Sequence, residues 1–269
     1  MSIGIFVIAG LASIEAEQRM HRCNDIISTL NMLSVNHFKP QTATDTTAVF
    51  LHGFASDQSG EKAVYLRDRL LGAGVAYTTF DFRGHGKSDG TMRELTLSRL
   101  LDDCDEVISP LVRQQERVAL IGSSLGACAA AWYAALNPGR ITTCAMIAPA
   151  FNFVDSLLEQ IGPDQAEKWK EAGAMRFTNQ YCGVELGYDL VHDWEQYPIA
   201  ELARQYLTPS LLIHGTEDEI LSYHHSLDFT SKSGAEIDLV LIKGGDHRLT
   251  DHKEKLGDWI ISHITRGRR

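Results

Sequence analysis

The sequence predicts an α/β fold: a mostly parallel central sheet with helices on both faces and a small helical cap inserted late in the chain. Three observations carry this. Short apolar runs bounded by Gly, Pro or Asp occur at residues 47–52, 76–82, 117–122, 142–148, 210–214 and 237–242, and read as buried strands. Helix-length amphipathic runs lie between them, at 61–71, 94–111, 125–137, 223–233 and 253–265. Alternation of this kind implies a parallel sheet covered on both faces. The third observation is a break in the rhythm. Residues 152–206 contain no clear strand, are rich in Glu, Gln, Trp and Tyr, and carry the breakers Gly162, Pro163, Gly183 and Gly187. An unstructured loop of that length is improbable in a compact domain, so the stretch reads as an inserted, largely helical cap.

The chain of 269 residues reads as one domain, long enough to bury about three quarters of its unfolded surface. Residues 41–269 form that domain, with the cap at about 152–206, and residues 1–40 form an N-terminal extension in which 25–39 supplies one or two edge strands. The apolar run 3–11 is too short to span a bilayer and has no basic residue before it. It reads as a segment packed on the body or a start-site artefact, with a weak signal peptide as the minor alternative. No other segment approaches membrane length, so no stable membrane insertion is expected.

Apolar residues at 44% and charged residues at 22% are ordinary for a soluble enzyme. The net charge of −10 argues against a nucleic-acid partner, which demands a basic face. Arg266, Arg268 and Arg269 read as a solvated end. The five cysteines (Cys23, Cys104, Cys128, Cys144 and Cys182) are odd in number and show no metal-ligand spacing. They read as reduced thiols of a cytoplasmic protein, with Cys128 and Cys144 in the core and no metal or organic cofactor.

The chemistry concentrates in Gly122-Ser123-Ser124-Leu125-Gly126, which follows the strand Val118-Ala119-Leu120-Ile121 and opens an Ala-rich helix. Strand, tight turn and helix give G-x-S-x-G its meaning. A serine hydroxyl is a poor nucleophile unless it is exposed, held in one rotamer and touched by a base. The turn strains the backbone, and neighbours without Cβ relieve the crowding. Ser124 is therefore the candidate nucleophile; Ser123 has the wrong offset from the glycines. A second element, His52-Gly53-Phe54, follows the first clear strand. The backbone N–H of Phe54 is the expected partner of that of Leu125 in stabilising an oxyanion, each worth about 3–4 kcal/mol in the transition state. His52 itself reads as a hydrogen-bonded loop residue.

The candidate base is His247, in Gly244-Gly245-Asp246-His247-Arg248 after the last strand. His224, His225, His252 and His263 fall in helix patterns and read as surface residues. The candidate acid is Asp218, after the penultimate strand in Leu211-Leu212-Ile213-His214-Gly215-Thr216-Glu217-Asp218-Glu219-Ile220; Glu217 and Glu219 read as solvated alternatives. Such an acid holds the imidazole in one tautomer. The loop 81–89, DFRGHGKSD, lacks the form of a phosphate-binding loop and reads as structural, tied together by Asp81 and Arg83. Phe151, Phe153, Leu157, Leu158, Trp169, Tyr188 and Trp194 of the cap are candidates for an apolar substrate pocket, of which Phe153, Leu157, Trp169, Tyr188 and Trp194 are the preferred set.

Taken in order, HGFASDQSGEKA, DFRGHGKSDG, IGSSLGA, LLIHGTEDEI and GGDHRL make residues 48–256 resemble the α/β-hydrolase superfamily. The chain is most similar to the serine hydrolases of the palmitoyl-protein thioesterase and acyl-glucuronide esterase group. The resemblance implies an α/β-hydrolase fold, the triad Ser124, Asp218 and His247, and hydrolysis of a small-molecule acyl ester or thioester through an acyl-enzyme. Other reactions on the same triad are the alternatives: C–C bond hydrolysis, perhydrolysis or acyl transfer. A binding protein on the same scaffold is the rival from another class. Dehalogenase or epoxide hydrolase chemistry is disfavoured because those members carry an aspartate where Ser124 stands.

Overall fold

The structure is a computed structural model describing residues 33–42, 45–114, 116–178 and 183–266. The apolar run 3–11, Cys23 and Cys182 lie outside these residues, as does the first part of the expected edge-strand region.

Nine strands are described: β1 (Val35–Phe38), β2 (Thr46–Leu51), β3 (Ala76–Phe80), β4 (Arg117–Ser123), β5 (Ile141–Ile147), β6 (Ala174–Thr178), β7 (Gly183–Gly187), β8 (Ser210–Gly215) and β9 (Ile237–Ile242). The helices are α1 (Glu61–Gly72), α2 (Leu97–Arg113), α3 (Leu125–Leu136), α4 (Phe153–Ile161), α5 (Pro163–Ala172), α6 (Asp189–Trp194), α7 (Ile199–Gln205), α8 (Tyr223–Lys232) and α9 (Lys253–Thr265). Seven strands form one sheet in the order β1-β3-β2-β4-β5-β8-β9. Only the β1–β3 pair is antiparallel. β1 lies at one edge of this sheet.

The inner strands β2, β4 and β8 are buried on both faces, which is why they carry near-continuous apolar runs rather than an alternating pattern. Val49, Leu51, Val118 and Leu120 join one cluster with α2 and α3. Their neighbours Ala48, Phe50, Ala119 and Ile121 join a second with α1 and α9. Each fully buried side chain of this size contributes about 1.5–3 kcal/mol of hydrophobic stabilisation. α3 is buried from Leu125 to Ala135, so its run of alanines is what lets a helix approach the sheet closely. Cys104, Cys128 and Cys144 are buried free thiols. Among the described residues no helix is long and apolar enough to cross a membrane.

The segment between β5 and β8 holds four helices, α4 to α7, and also an antiparallel hairpin, β6–β7. That hairpin corrects the expectation of a stretch without strands. Its strands are five residues each, and on β7 Gly183 and Glu185 are exposed, Val184 is partly covered and Leu186 and Gly187 are buried. A pattern that short and flanked by glycine carries little periodic signal. The helices follow local rules. Gly162 takes positive φ between α4 and α5, Pro163 occupies the first turn of α5, and Gly173 ends it in the left-handed region. Asp193 of α6 accepts from the Ser98 N–H (2.9 Å) in the first turn of α2, which ties this segment to the body at an N–H that has no partner within the helix.

Candidate active site

The strand order reverses between β2 and β4: the chain steps outward from β2 to β3 and then returns to β4 on the other side. Crevices form beyond the carboxyl ends of strands at such a switch point. The loop carrying His52, Gly53 and Phe54 leaves β2 there, and the turn carrying Ser124 leaves β4 beside it.

Ser124 is the residue between β4 and α3 and has φ 55° and ψ −117°, a strained conformation for a residue with Cβ. Its backbone is held from both sides. The N–H donates to the Ile147 carbonyl (2.8 Å), and its carbonyl accepts from Ala127 (3.0 Å) and Ala150 (3.1 Å). The flanking glycines are required by close approach. A Cβ on Gly122 would collide with the backbone of Ala127, and one on Gly126 with the carbonyls of Leu51 and His52. We therefore expect Gly126→Ala to destabilise the fold by about 1–3 kcal/mol, as overpacking does, because only backbone atoms can yield. Chemical denaturation of the two proteins measures it; an unchanged midpoint would contradict the crowding.

The acid and base loops are zipped to each other before they reach the serine. Thr216 N–H donates to the Ile242 carbonyl and Glu217 N–H to that of Gly245, both at 2.9 Å. Asp218 and His247 are thereby brought together. Ser124 Oγ lies 3.0 Å from His247 Nε2, and His247 Nδ1 lies 2.7 Å from Asp218 Oδ2. A carboxylate only accepts, so Nδ1 carries the hydrogen and Nε2 is left to accept from the hydroxyl. The Asp218 side chain is fully buried and that of His247 is 17% exposed. Burial alone would raise the Asp218 carboxyl, but hydrogen bonds from His214 and His247 outweigh it and hold the group well below the usual carboxylate range. Glu217 and Glu219 are exposed, as expected of solvated bystanders.

Two residues that the sequence reading passed over touch this line. His214, fully buried on β8, places Nε2 3.0 Å from Asp218 Oδ2 and 3.0 Å from the Leu221 carbonyl, with Nδ1 2.7 Å from Ser226 Oγ. Both Nε2 partners are acceptors, so Nε2–H is a second imidazole donor on the acid. Lys62 of α1 donates to the Arg248 carbonyl (2.8 Å), the peptide next to His247. Burial pushes its ammonium down to about 8, opposed by Asp246. The spacing of a strand histidine four residues before the acid was the available signal for His214; none existed for Lys62, which is distant in sequence.

Leu125 follows Ser124 at the start of α3 and Phe54 follows Gly53 in the loop after β2, and among the described residues neither backbone N–H has a backbone acceptor in a turn or loop. Gly53 brings the β2 loop against the nucleophile: a Cβ there would lie 3.3 Å from Ser124 Cβ. An aromatic row leads away from Phe54. Its ring centroid is 5.2 Å from Phe153, which is 5.6 Å from Trp194. Phe153 and Leu157 are half-buried on α4. Trp169 corrects an expectation. It is fully buried, donates to the Leu186 carbonyl (2.9 Å) and packs on Phe177 and Tyr188 at 5.0 and 5.3 Å. It fills the interior of the inserted segment, and Tyr188 serves as one of its walls.

The remaining histidines divide. His224 is exposed. His225 is half-buried in α8, and His252 is half-buried in the turn before α9. His263 is also half-buried, with Nε2 2.6 Å from Thr143 Oγ1, so its expected surface position is corrected. It borders a cleft of about 290 Å³ at the amino ends of the parallel strands, opposite Ser124. Among the described residues no cluster of His, Cys, Asp or Glu has the form of a metal site.

Comparison with known proteins gives the family and the fold. The Hydrolase_4 family model, described as serine aminopeptidase, S33, matches residues 42–182. The mitochondrial palmitoyl-protein thioesterase ABHD10 of Bos taurus is 28% identical over 210 residues, covering 76% of this chain and 67% of the relative. The monoacylglycerol lipase of Mycolicibacterium smegmatis is 21% identical over 257 residues, covering 84% and 91%. The solved structure of α/β hydrolase domain-containing protein 10 from mouse superposes with a TM-score of 0.75 at 24% identity, covering 87% of this chain and 94% of that one.

Proposed function

The chain belongs to the Hydrolase_4 family, described as serine aminopeptidase, S33, and from that premise we propose that it is a serine hydrolase cleaving acyl esters or thioesters through an acyl-enzyme. Esterase, lipase and thioesterase relatives support the coarser statement that it is an α/β-hydrolase of the esterase/thioesterase type. The observation that supports the finer one is the line of hydroxyl, imidazole and carboxylate, at 3.0 and 2.7 Å, beyond the carboxyl ends of the strands.

Ser124 Oγ attacks the substrate carbonyl while His247 Nε2 takes its proton, and Asp218 stabilises the imidazolium that forms. The tetrahedral oxyanion lies between the Phe54 and Leu125 N–H groups. Its collapse expels the alcohol or thiol, protonated by His247, and leaves Ser124 acylated. Water then attacks the acyl carbon as His247 Nε2 removes its proton; collapse returns that proton to Ser124 and frees the acid. The face made by Phe54, Phe153, Leu157 and Trp194 suits an alkyl chain.

The test is a chain-length series of p-nitrophenyl esters and acyl thioesters with the full chain, together with a fluorophosphonate probe. We expect turnover that rises with acyl length and a single adduct, on Ser124. No turnover with either class and no adduct would reject the proposal.

A further inference from the structure

The loop after β2 carries an oxyanion donor only if its peptide points the right way, and backbone alone does not set that. The Gly53 carbonyl and the Phe54 N–H belong to one planar, trans peptide, so whatever holds the first aims the second in the opposite direction. The Gly53 carbonyl lies 2.9 Å from His52 Nδ1, with a weaker second donor in the Ser56 N–H at 3.3 Å. The other ring nitrogen is taken as well: the Phe82 N–H donates to His52 Nε2 (3.0 Å). A backbone N–H can only donate, so Nε2 is bare and Nδ1 holds the hydrogen. The tautomer is thus set by the 81–89 loop. The ring itself is 2% exposed and wedged between Phe82 and His85, with centroids 5.0 and 4.9 Å away. Burial lowers its pKa, in keeping with a neutral imidazole.

The same loop grips the oxyanion loop at a second point. The buried Asp81 carboxylate accepts from the backbone N–H of Gln58 (2.8 Å), from Gln58 Nε2 (3.0 Å) and from the Lys87 N–H (2.9 Å). Gly86 has φ 50° and no Cβ because one would overlap that carboxyl. Arg83 anchors the loop from behind, its backbone N–H reaching Asp103 Oδ2 (2.8 Å) and its guanidinium the other carboxylate oxygen. We infer that His52 and Asp81 are positioning residues for the oxyanion hole, and that the 81–89 loop is the mould against which the Phe54 N–H is aimed. This rests on the serine-hydrolase reading above.

The test compares His52→Phe and His52→Asn with the parent enzyme, using p-nitrophenyl ester turnover and inhibition by an alkyl trifluoromethyl ketone, whose hemiketal oxyanion needs the same donors. Outright loss of one donor costs about 10²–10³ in kcat, so a misaimed one is expected to lower kcat on the order of 10- to 100-fold in His52→Phe with KM nearly unchanged. Ketone affinity should fall by a similar factor. His52→Asn, whose amide nitrogen stands where Nδ1 did, should recover most of both. A merely destabilised protein loses active sites and leaves the inhibition constant alone. A folded His52→Phe with parental turnover, or with parental ketone affinity, overturns the inference. Should that variant not fold, Asp81→Asn carries the same comparison: parallel losses support the inference and parental values overturn it. If the parent itself neither turns over ester nor takes a fluorophosphonate on Ser124, it is the serine-hydrolase reading that fails.

Discussion

Ser124→Ala is expected to lower kcat on the order of 10⁶-fold while the protein stays folded. Alanine keeps the Cβ, so the φ of 55° at this turn costs the same in both proteins. The backbone bonds to Ile147, Ala127 and Ala150 are untouched. What disappears is the hydroxyl and its 3.0 Å bond to His247, worth about 1 kcal/mol in stability. The melting temperature should therefore move by only a few degrees for so large a kinetic loss. Turnover, a melting curve and fluorophosphonate labelling measured on one preparation check it; retained turnover in a pure sample would remove Ser124 from the mechanism.

Asp218→Asn should lower kcat about 10⁴-fold, because an amide lets the imidazole adopt the wrong tautomer. In this site the substitution also disturbs a crowded carboxylate. Oδ2 faces His214 and His247, and Oδ1 accepts from the Ile220 N–H (3.0 Å) and the Leu221 N–H (2.8 Å). An amide offers one oxygen to these donors and turns its own N–H₂ toward others, and each buried group left unpaired costs about 1–3 kcal/mol. The pH dependence follows from the depressed pKa. The folded state binds this proton at lower pH than the unfolded chain does. The carboxylate's contribution is full above the ordinary aspartate value of about 4 and is lost as pH falls below it toward the depressed native value. The gap in melting temperature between parent and Asp218→Asn should be constant near neutrality and narrow only in acid. A gap that closes near pH 6 would mean another group controls it. Asp218 stays ionised far into acid, so its protonation does not shape kcat/KM near neutrality.

Much of the fold is legible because its signals are local. Buried parallel strands are short and mostly apolar, and all six expected runs match β2, β3, β4, β5, β8 and β9 to within one or two residues. Helix ends drift more: α2 begins at Leu97 rather than residue 94, because Thr96 caps it through the Arg99 N–H (3.1 Å) and a 3₁₀ turn fills the gap. The hairpin β6–β7 is not legible in the sequence because five residues with flanking glycines hold too few repeats to reveal a period of two.

The sequence by itself determined the alternation of elements and the glycine-flanked serine between strand and helix. It also fixed the order in which candidate nucleophile, acid and base arrive. Each of these is written in neighbouring residues, in periodicity and in the steric needs of a turn. Only the tertiary structure decided that His214 shares Asp218, that Lys62 braces the base loop and that Trp169 is interior rather than pocket. It also decided that the nitrogens of His52 join the oxyanion loop to the 81–89 loop. Those facts depend on which groups meet across tens to nearly two hundred residues of chain, or on which side of a helix meets another element. Hydrogen bonds at 3 Å are resolved only once packing has brought both partners together.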